Sequence, residues 1–551
     1  MESFISDAVD YKGNTADRTR TGGWVAAALI LGIEVCERMA TMGVVANVVT
    51  YVVGTMHVPS ATASNVTTNF GGTSYLLCLL GGIVSDTWLG RYWTIVTFAI
   101  ISALGTCMLA ICTALPQLRP PPCQASLSNK CEEANNFQMG VFYLALYVYG
   151  IGVGGIKSSI SGLGTDQFDQ KDDKEKAQMV YFFDRFYFII NIGALLGVTV
   201  LVWIQDQRGR TWGYGISLAA MIVALVAFLS GTKRYRYKKC VGSPIFQILQ
   251  VLVAALRKRN VPFPSSASII TEEDEKGSST PNRWRLCTIT RVEEVKMLIG
   301  LIPIWATTIM FWTVYAQMVG FAVLQATTMD RNLRNFPIPP GSFIVFLIGA
   351  IMVTLVIYDR LFMPLFKKSK RKQGLTSLQK IGIGLFFSIL GMGAAALVET
   401  RRLSIAKAKK ETNTTLPISA FFLLPQFVLV GIGNAFIYAG QLDFFITQSP
   451  KGMKAIGTGL FLTTLSLGFF VSSTLVTIIK KVTRGNGRQD WLPRSINNGR
   501  LDYFYWLLAV LSLINLGFFL LCAMKYKPNS DENAENRQVD VHIPPNKEDS
   551  T

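Results

Sequence analysis

The sequence predicts an all-α polytopic membrane protein, with twelve transmembrane helices in two six-helix bundles. Three observations lead there. Half of the 551 residues are hydrophobic and only 16% are charged, a balance too apolar for a water-soluble enzyme. Apolar runs long enough to cross a ~30 Å hydrocarbon core, about 20 residues each, recur twelve times. A long hydrophilic stretch follows the sixth run, so the pattern is six plus six.

The runs lie near residues 24–53, 67–86, 92–114, 138–163, 183–204, 213–231, 295–322, 341–362, 377–399, 416–446, 456–479 and 502–524. They divide the chain into a cytoplasmic N-terminal tail (1–21), a first bundle (22–232), a cytoplasmic linker (233–294), a second bundle (295–526) and a disordered cytoplasmic tail (527–551). The start is polar and has no apolar h-region, so no cleaved signal peptide is expected and the first span directs insertion. The linker opens with PIFQILQVLVAAL and then RKR. That segment is too short to span and is expected to lie on the membrane face or to bridge the bundles. SSASIITEEDEKGSSTPN after it reads as disordered.

The net charge is +18, from 53 Lys and Arg against 35 Asp and Glu. The cations sit in short loops between apolar runs, which suits anionic membrane lipid as a partner and excludes nucleic acid. Arg91 follows the second span, and Lys171, Lys174 and Lys176 follow the fourth. A cluster from Lys233 to Lys239 follows the sixth, Arg360 and KKSKRK the eighth, and Lys451 and Lys454 the tenth. These even-numbered exits, and both termini with them, are expected in the cytoplasm. The stretches 401–410 and 480–500 are also basic and run against this orientation, but the linker outweighs them.

Nine cysteines are present, most of them in apolar runs as small hydrophobes. Cys123 and Cys131 share one polar loop and would form a local disulfide if that loop is extracellular. Asn413-Thr414-Thr415 is a glycosylation sequon in an expected outside loop. Neither histidine, His57 or His542, lies within an apolar run. No metal-ligand spacing, nucleotide loop or nucleophile elbow appears, so no enzyme, metal or cofactor is expected.

One stretch of the first span breaks the apolar pattern. Glu34, Glu37 and Arg38 are spaced i, i+3, i+4 and share one helix face. Such groups cost about 2.5–3.5 kcal/mol each on insertion scales, so they face a bundle interior or a watery cavity. A helix-stabilising salt bridge is the plainer reading, but one carboxylate would suffice for one arginine. The second carboxylate is therefore a candidate proton carrier.

Between the second and third spans, Gly82-Ile-Val-Ser-Asp86-Thr-Trp-Leu-Gly90-Arg91 resembles the loop signature of the major facilitator superfamily. Asp86 and Arg91 are read as pairing charges and helix ends at a cytoplasmic gate, with Arg91 alternatively a simple positive-inside anchor. Asp359 and Arg360 after the eighth span are a weak echo, as parallel repeats require. Further stretches are Gly154-Gly155-Ile156-Lys157, Asp166-Gln167-Phe168-Asp169, Ile190-Asn191-Ile192-Gly193 and Val292-Glu293-Glu294-Val295-Lys296. GGWVAAALILGIEVCER, NVTTNF, TWGYGI, LIPIWAT, GQLDFF and SPKGMK join them in one order. Over about residues 10–525 the chain resembles the plant nitrate/peptide transporter (NPF) family of proton-coupled carriers. Its resemblance is nearest the branch that holds the dual-affinity nitrate transporter.

The resemblance implies that Glu34, Glu37 and Arg38 couple to protons together with Lys157, which in isolation reads as a snorkelling lysine. It implies phosphorylation of Thr94 by a regulatory kinase; a threonine near a helix N-terminus is the plainer reading. Tyr315 stands where the dual-affinity relative has its nitrate-binding histidine. A neutral phenol donates one hydrogen bond but does not become cationic. Asn434 stands where relatives, peptide carriers included, tend to have glutamate, which argues against peptides and for a net-positive pocket. Substrate-binding candidates are thus Tyr315, Asn434, Arg38 and Lys157. With both carboxylates ionised, Glu34, Glu37, Arg38 and Lys157 sum to zero; one proton leaves +1, which attracts a monovalent anion.

The expectation is a plasma-membrane symporter that imports nitrate, with chloride as rival, by alternating access. The alternatives are a carrier of a small organic acid or hormone, and a nitrate sensor with Thr94 and the tails as its output. A vacuolar membrane is the alternative location. Candidate partners are the anion, protons, lipid, a kinase and a second copy of the chain as a homodimer.

Overall fold

The computed structural model describes residues 4–122, 131–169, 172–238, 250, 253, 289–334, 336–362, 364, 375–408, 415–449, 454–483, 490–493 and 495–526. Cys123, Asn413, nearly all of the linker helix and the tail 527–551 lie outside these residues. Cys131 is within them and is disulfide-bonded.

The first half holds α1 (Gly23–Gly54), α2 (Ser60–Val84), α3 (Gly90–Ala114), α4 (Asn136–Thr165), α5 (Asp173–Leu196, continuing through a π turn to Gln207) and α6 (Arg210–Ser230). The second holds α7 (Ile289–Val319), α8 (Ile344–Ile357), α9 (Ser377–Ala408), α10 (Leu424–Thr447), α11 (Lys454–Thr483) and α12 (Leu501–Lys525). Ten described stretches are long and apolar enough to cross a membrane. One of them, Ser60–Ala114, contains both α2 and α3. α1 falls outside that count, its hydropathy lowered by Glu34, Glu37 and Arg38.

The halves repeat one packing scheme. In the first, α3 packs on α4 and α6, α2 on α4, and α1 on α5 and α6. In the second, α9 packs on α10 and α12, α8 on α10, and α7 on α11 and α12. Adding six to each helix number carries one list into the other, the signature of parallel repeats. The seams between halves obey the same rule, α2 meeting α11 and α5 meeting α8, but the first is far more extensive.

Several boundaries differ from the sequence reading. α2 begins seven residues before the expected 67, straight after Pro59. Its polar start is accommodated in the helix, with the Thr67 and Thr68 hydroxyls satisfied by donating to the carbonyls of Ala63 and Ser64. The tenth span starts later than 416. Leu416–Ser419 forms a short strand parallel to Met329–Asp330, and α10 follows with a proline in its first turn. α7 begins at Ile289, breaks at Gly320, and resumes as a short helix over Phe321–Thr328. The N-terminal tail is not a free polar arm. Phe4–Val9 and Thr15–Asp17 form an antiparallel hairpin, joined to the stretch after α6 by Val9–Tyr237 backbone bonds of 2.9 Å. Behind it, Arg18 reaches Asp169 at 2.5 Å and Asp172 at 2.9 Å. The buried Arg236 reaches Glu175 at 2.6 Å.

The halves touch at the end opposite this hairpin. A Cβ added at Gly341, just before α8, would lie 2.8 Å from the Ala46 carbonyl of α1. One added at Gly320 would lie 2.7 Å from Ser64 Oγ of α2. Asn65 donates to Thr477 at 2.9 Å, and Lys480 to Thr62 at 3.4 Å. This far end is closed.

The motif Gly154-Gly155 places α4. A Cβ at Gly154 would fall 2.7 Å from Leu77 Cβ of α2, and one at Gly155 would enter the Phe98 ring of α3. α4 therefore nests between two helices with no room for side chains, two residues before Lys157. Gly155→Leu is expected to overpack this crossing at a cost of about 1–3 kcal/mol, read as a lower melting temperature and lower yield of the purified protein.

Candidate functional site

The four charged candidates meet in the middle of the first half. Glu34 and Glu37 are 1% and 0% exposed on α1. Lys157 of α4 sits with Nζ 3.6 Å from Glu37 Oε1. Arg38 Nη2 lies 3.5 Å from Glu34 Oε1. Close helix approach brings this about: α5 reaches α1 at Gly193, where a Cβ would lie 2.8 Å from the Val35 carbonyl and 3.1 Å from Arg38 Cβ. Both ion pairs are long for charge-assisted hydrogen bonds, which run at about 2.7–2.9 Å. Glu34 Oε2, Glu37 Oε2 and Arg38 Nε are buried with no protein hydrogen-bond partner. The set balances at zero when both carboxylates are ionised, and each carboxylate keeps one oxygen available to take a proton.

Neighbouring hydroxyls extend the site. The Thr41 hydroxyl donates to Glu37 Oε1 at 2.6 Å and, with its proton so used, accepts from the Tyr149 hydroxyl at 2.9 Å. The Tyr75 ring lies 5.8 Å from Lys157 Nζ, a cation–π distance. Thr41 was legible as the residue one turn beyond Glu37. Tyr75 and Tyr149 carried no such signal, being aromatics within apolar runs.

The second half faces this cluster with aromatic rings. Tyr75 packs on Phe469 of α11 at 5.9 Å, Phe469 on Tyr315 at 6.3 Å, and Tyr315 on Trp312 at 5.6 Å. Trp312 packs on Tyr438 of α10 at 6.4 Å and donates its indole N–H to Gln441 at 2.9 Å. Tyr438 in turn lies within electrostatic range of Arg38 and Glu34. Tyr315 is thus half-buried in an aromatic wall opposite the charges. Asn434 is 7% exposed and lies one helical turn before Tyr438, on the same face of α10.

The remaining candidates fall elsewhere. Arg91 does not pair with Asp86. Its Nη1 lies 2.6 Å from Asp166 Oδ2 and 3.1 Å from the Gly162 carbonyl, and Lys238 joins Asp166 at 3.5 Å. The cause is local backbone: Gly90 takes φ 71° between a π turn holding Asp86 and the start of α3, which turns Arg91 toward the end of α4. Asp359 and Arg360 are exposed on the turn after α8. There it is Tyr358 that makes contacts, with Lys380 5.7 Å from its ring. Thr94 is fully buried in the first turn of α3, its hydroxyl donating to the Gly90 carbonyl at 2.9 Å. In this conformation the hydroxyl is closed off from solvent.

The described helices form two repeated halves around a buried charge cluster, the architecture of a membrane transporter of the major facilitator fold. The chain belongs to the POT family, whose sequence profile matches residues 92–492, and within it to the plant NRT1/PTR (NPF) group. It is 55% identical to Arabidopsis thaliana Protein NRT1/PTR FAMILY 6.2 over 563 residues, covering 97% of each chain. It is 48% identical to NRT1/PTR FAMILY 6.3 of the same plant, covering 95% of each. Among solved structures, the POT family transporter PepTSo superposes with a TM-score of 0.70 at 21% identity, covering 92% of this chain and 99% of that one. A peptide transporter POT in complex with sulfate superposes at 0.65 and 16% identity, covering 92% and 97%. At these identities the solved structures bear on the fold alone.

Asp166 holds two cations at once, so Asp166→Ala is expected to destabilise the protein. Arg91 and Lys238 are both more than a third exposed, which lowers the loss from the buried-pair range to about 1–3 kcal/mol. Thermal unfolding in detergent measures it.

Proposed function

We propose that this chain is a proton-coupled symporter that moves nitrate, with chloride as the competing anion, by alternating access. One observation carries the reading: two buried carboxylates share two cations through long contacts, and each keeps an oxygen without a partner. A proton on Glu34 or Glu37 turns a neutral set into one of charge +1, and Arg38 and Lys157 are then available to an anion. Binding of either strengthens the hold on the other. With the termini in the cytoplasm, the closed far end is the extracellular one. Plasma membrane is the location this reading adopts.

The aromatic wall bears on selectivity. Tyr315 offers a neutral hydroxyl, and no histidine lies in any membrane-spanning helix among the described residues. His57 occupies the turn between α1 and α2, against the Glu132 carbonyl. A phenol suits chloride as well as nitrate, since neither needs a cationic donor there. Asn434, an amide where a carboxylate would hold a peptide's amino group, weighs against peptides.

Uptake of labelled nitrate and chloride at acidic and neutral external pH is the test. Wild type is expected to accumulate nitrate more strongly at acidic pH. Glu37→Gln is expected to lose that pH-driven accumulation by about tenfold or more while keeping anion exchange, because removing the titrating group cuts the link and leaves the cations. Proton-driven accumulation retained in Glu37→Gln would defeat the assignment.

Tyr315→His is expected to raise the nitrate-to-chloride uptake ratio by about tenfold, the yield of one charge-assisted hydrogen bond worth about 1.4 kcal/mol. An unchanged ratio would remove Tyr315 from the selectivity site. If neither anion moves at any pH, the carrier of a small organic acid replaces this reading.

A further inference from the structure

A second buried charge cluster lies at the far end of the second half, away from the proton site. Glu399 and Arg402 of α9 are both 0% exposed and meet in a two-point bridge, with contacts of 2.7 Å and 2.7 Å. Unlike the α1 pairs, this one is fully bonded. Arg402 also donates to Thr328 Oγ1 at 3.0 Å, Asn497 Oδ1 at 2.5 Å and the Ile496 carbonyl at 3.2 Å. Glu399 Oε2 also accepts from Gln325 Nε2 at 2.6 Å. Gln325 Oε1 in turn accepts from Gln426 of α10 and Tyr505 of α12, each at 3.2 Å.

Two members of this network, Gln325 and Thr328, belong to the short helix that follows the break at Gly320. That helix is one part of the second half packed on α1 and α2 where the far end is closed. The first half has an equivalent. Arg210, at the start of α6, donates to the Asn47 carbonyl at 3.0 Å and to Thr50 Oγ1 at 3.2 Å, and lies 5.3 Å from the Tyr51 ring. It thereby fixes the end of α1, which meets Gly341 across the same closure. Each half thus pins its own closing segment to its core with one arginine, buried in the second half and part-buried in the first.

We infer that Glu399, Arg402 and Gln325 are positioning residues for the far-end gate. They latch Phe321–Thr328 to the second half, so that it stays seated on α1 and α2 while that end is shut. Cutting the latch frees the segment to hinge at Gly320, and the gate leaks open without any change at the proton site. The inference rests on the alternating-access reading but not on which anion is carried.

The test uses the full chain, purified in nanodiscs, with Ser64→Cys as a reporter beneath Gly320 and the parent chain's own labelling subtracted. Ser64 is 1% exposed, so a water-soluble maleimide is expected to react with it slowly. Gln325→Met with Thr328→Val removes both bonds from the segment to the ion pair and leaves Glu399–Arg402 intact. Labelling is expected to speed up by about tenfold, the scale of a modest population shift. Thr328→Val alone, a near-isosteric change, is expected to give a smaller increase in the same direction. Maximal transport rate should fall while the apparent affinity for the anion holds.

A purely structural network would lower the melting temperature and leave labelling of the folded protein unchanged, and that result overturns the inference. Because labelling needs no anion, it stands or falls separately from nitrate and chloride uptake. Uptake that still follows pH beside unchanged labelling sinks the latch alone.

Discussion

Two carboxylates and two cations sit inside a bundle whose outer surface is apolar, and the fold around them is arranged to keep them balanced. None of the four is tolerable alone at that depth. The balance needs α4 and α5 close to α1, and that closeness is written in glycine: Gly154 and Gly155 let α4 sink between α2 and α3, and Gly193 lets α5 rest on Arg38. Pair lengths then separate two kinds of buried charge. Glu399–Arg402 closes at 2.7 Å with every oxygen bonded, as a structural pair should. Glu37–Lys157 and Glu34–Arg38 stand at 3.6 Å and 3.5 Å with oxygens to spare, as the proposed proton-coupling set requires.

The two halves share a packing scheme but not a chemistry. The first half contributes the charges, and the second answers with Trp312, Tyr315, Tyr438 and the amide of Asn434. What the halves keep in common lies at the far end, where Arg210 and Arg402 occupy matching roles against the closing segments. The unequal seams point the same way: α2 lies along α11 from Thr62–Lys480 to the Leu79–Gly459 contact, whereas α5 and α8 touch lightly.

Much of this was legible in the residues. The helices announce themselves by length and apolarity, and Glu34, Glu37 and Arg38 by a spacing that puts three costly groups on one face. Lys157 was legible as a charge too deep in its run to be incidental. Other features were not, because they depend on contacts between distant segments. Arg91 follows Asp86 closely enough in the chain to suggest a pair. Its partner is instead Asp166, at the end of another helix, and only the backbone turn at Gly90 decides that. The strand at Leu416–Ser419 exists because Met329–Asp330 lies beside it, and an apolar run gives no hint of that. The N-terminal hairpin is held by Arg18 and Arg236 against the acidic α4–α5 turn, so its order comes from tertiary charge pairing rather than from its own polar composition. Tyr75 and Tyr438 read as ordinary membrane aromatics until the two halves are brought together.

The neutrality of the charge set has an electrical consequence. A carrier whose mobile site sums to zero when empty returns across the bilayer without moving charge through the field. Membrane voltage, worth about 2.3 kcal/mol per elementary charge at 100 mV, then acts only on the loaded form. Under the symport reading, the current carried per anion under voltage clamp counts protons in excess of anions, and a silent recording beside measurable flux marks a ratio of one to one.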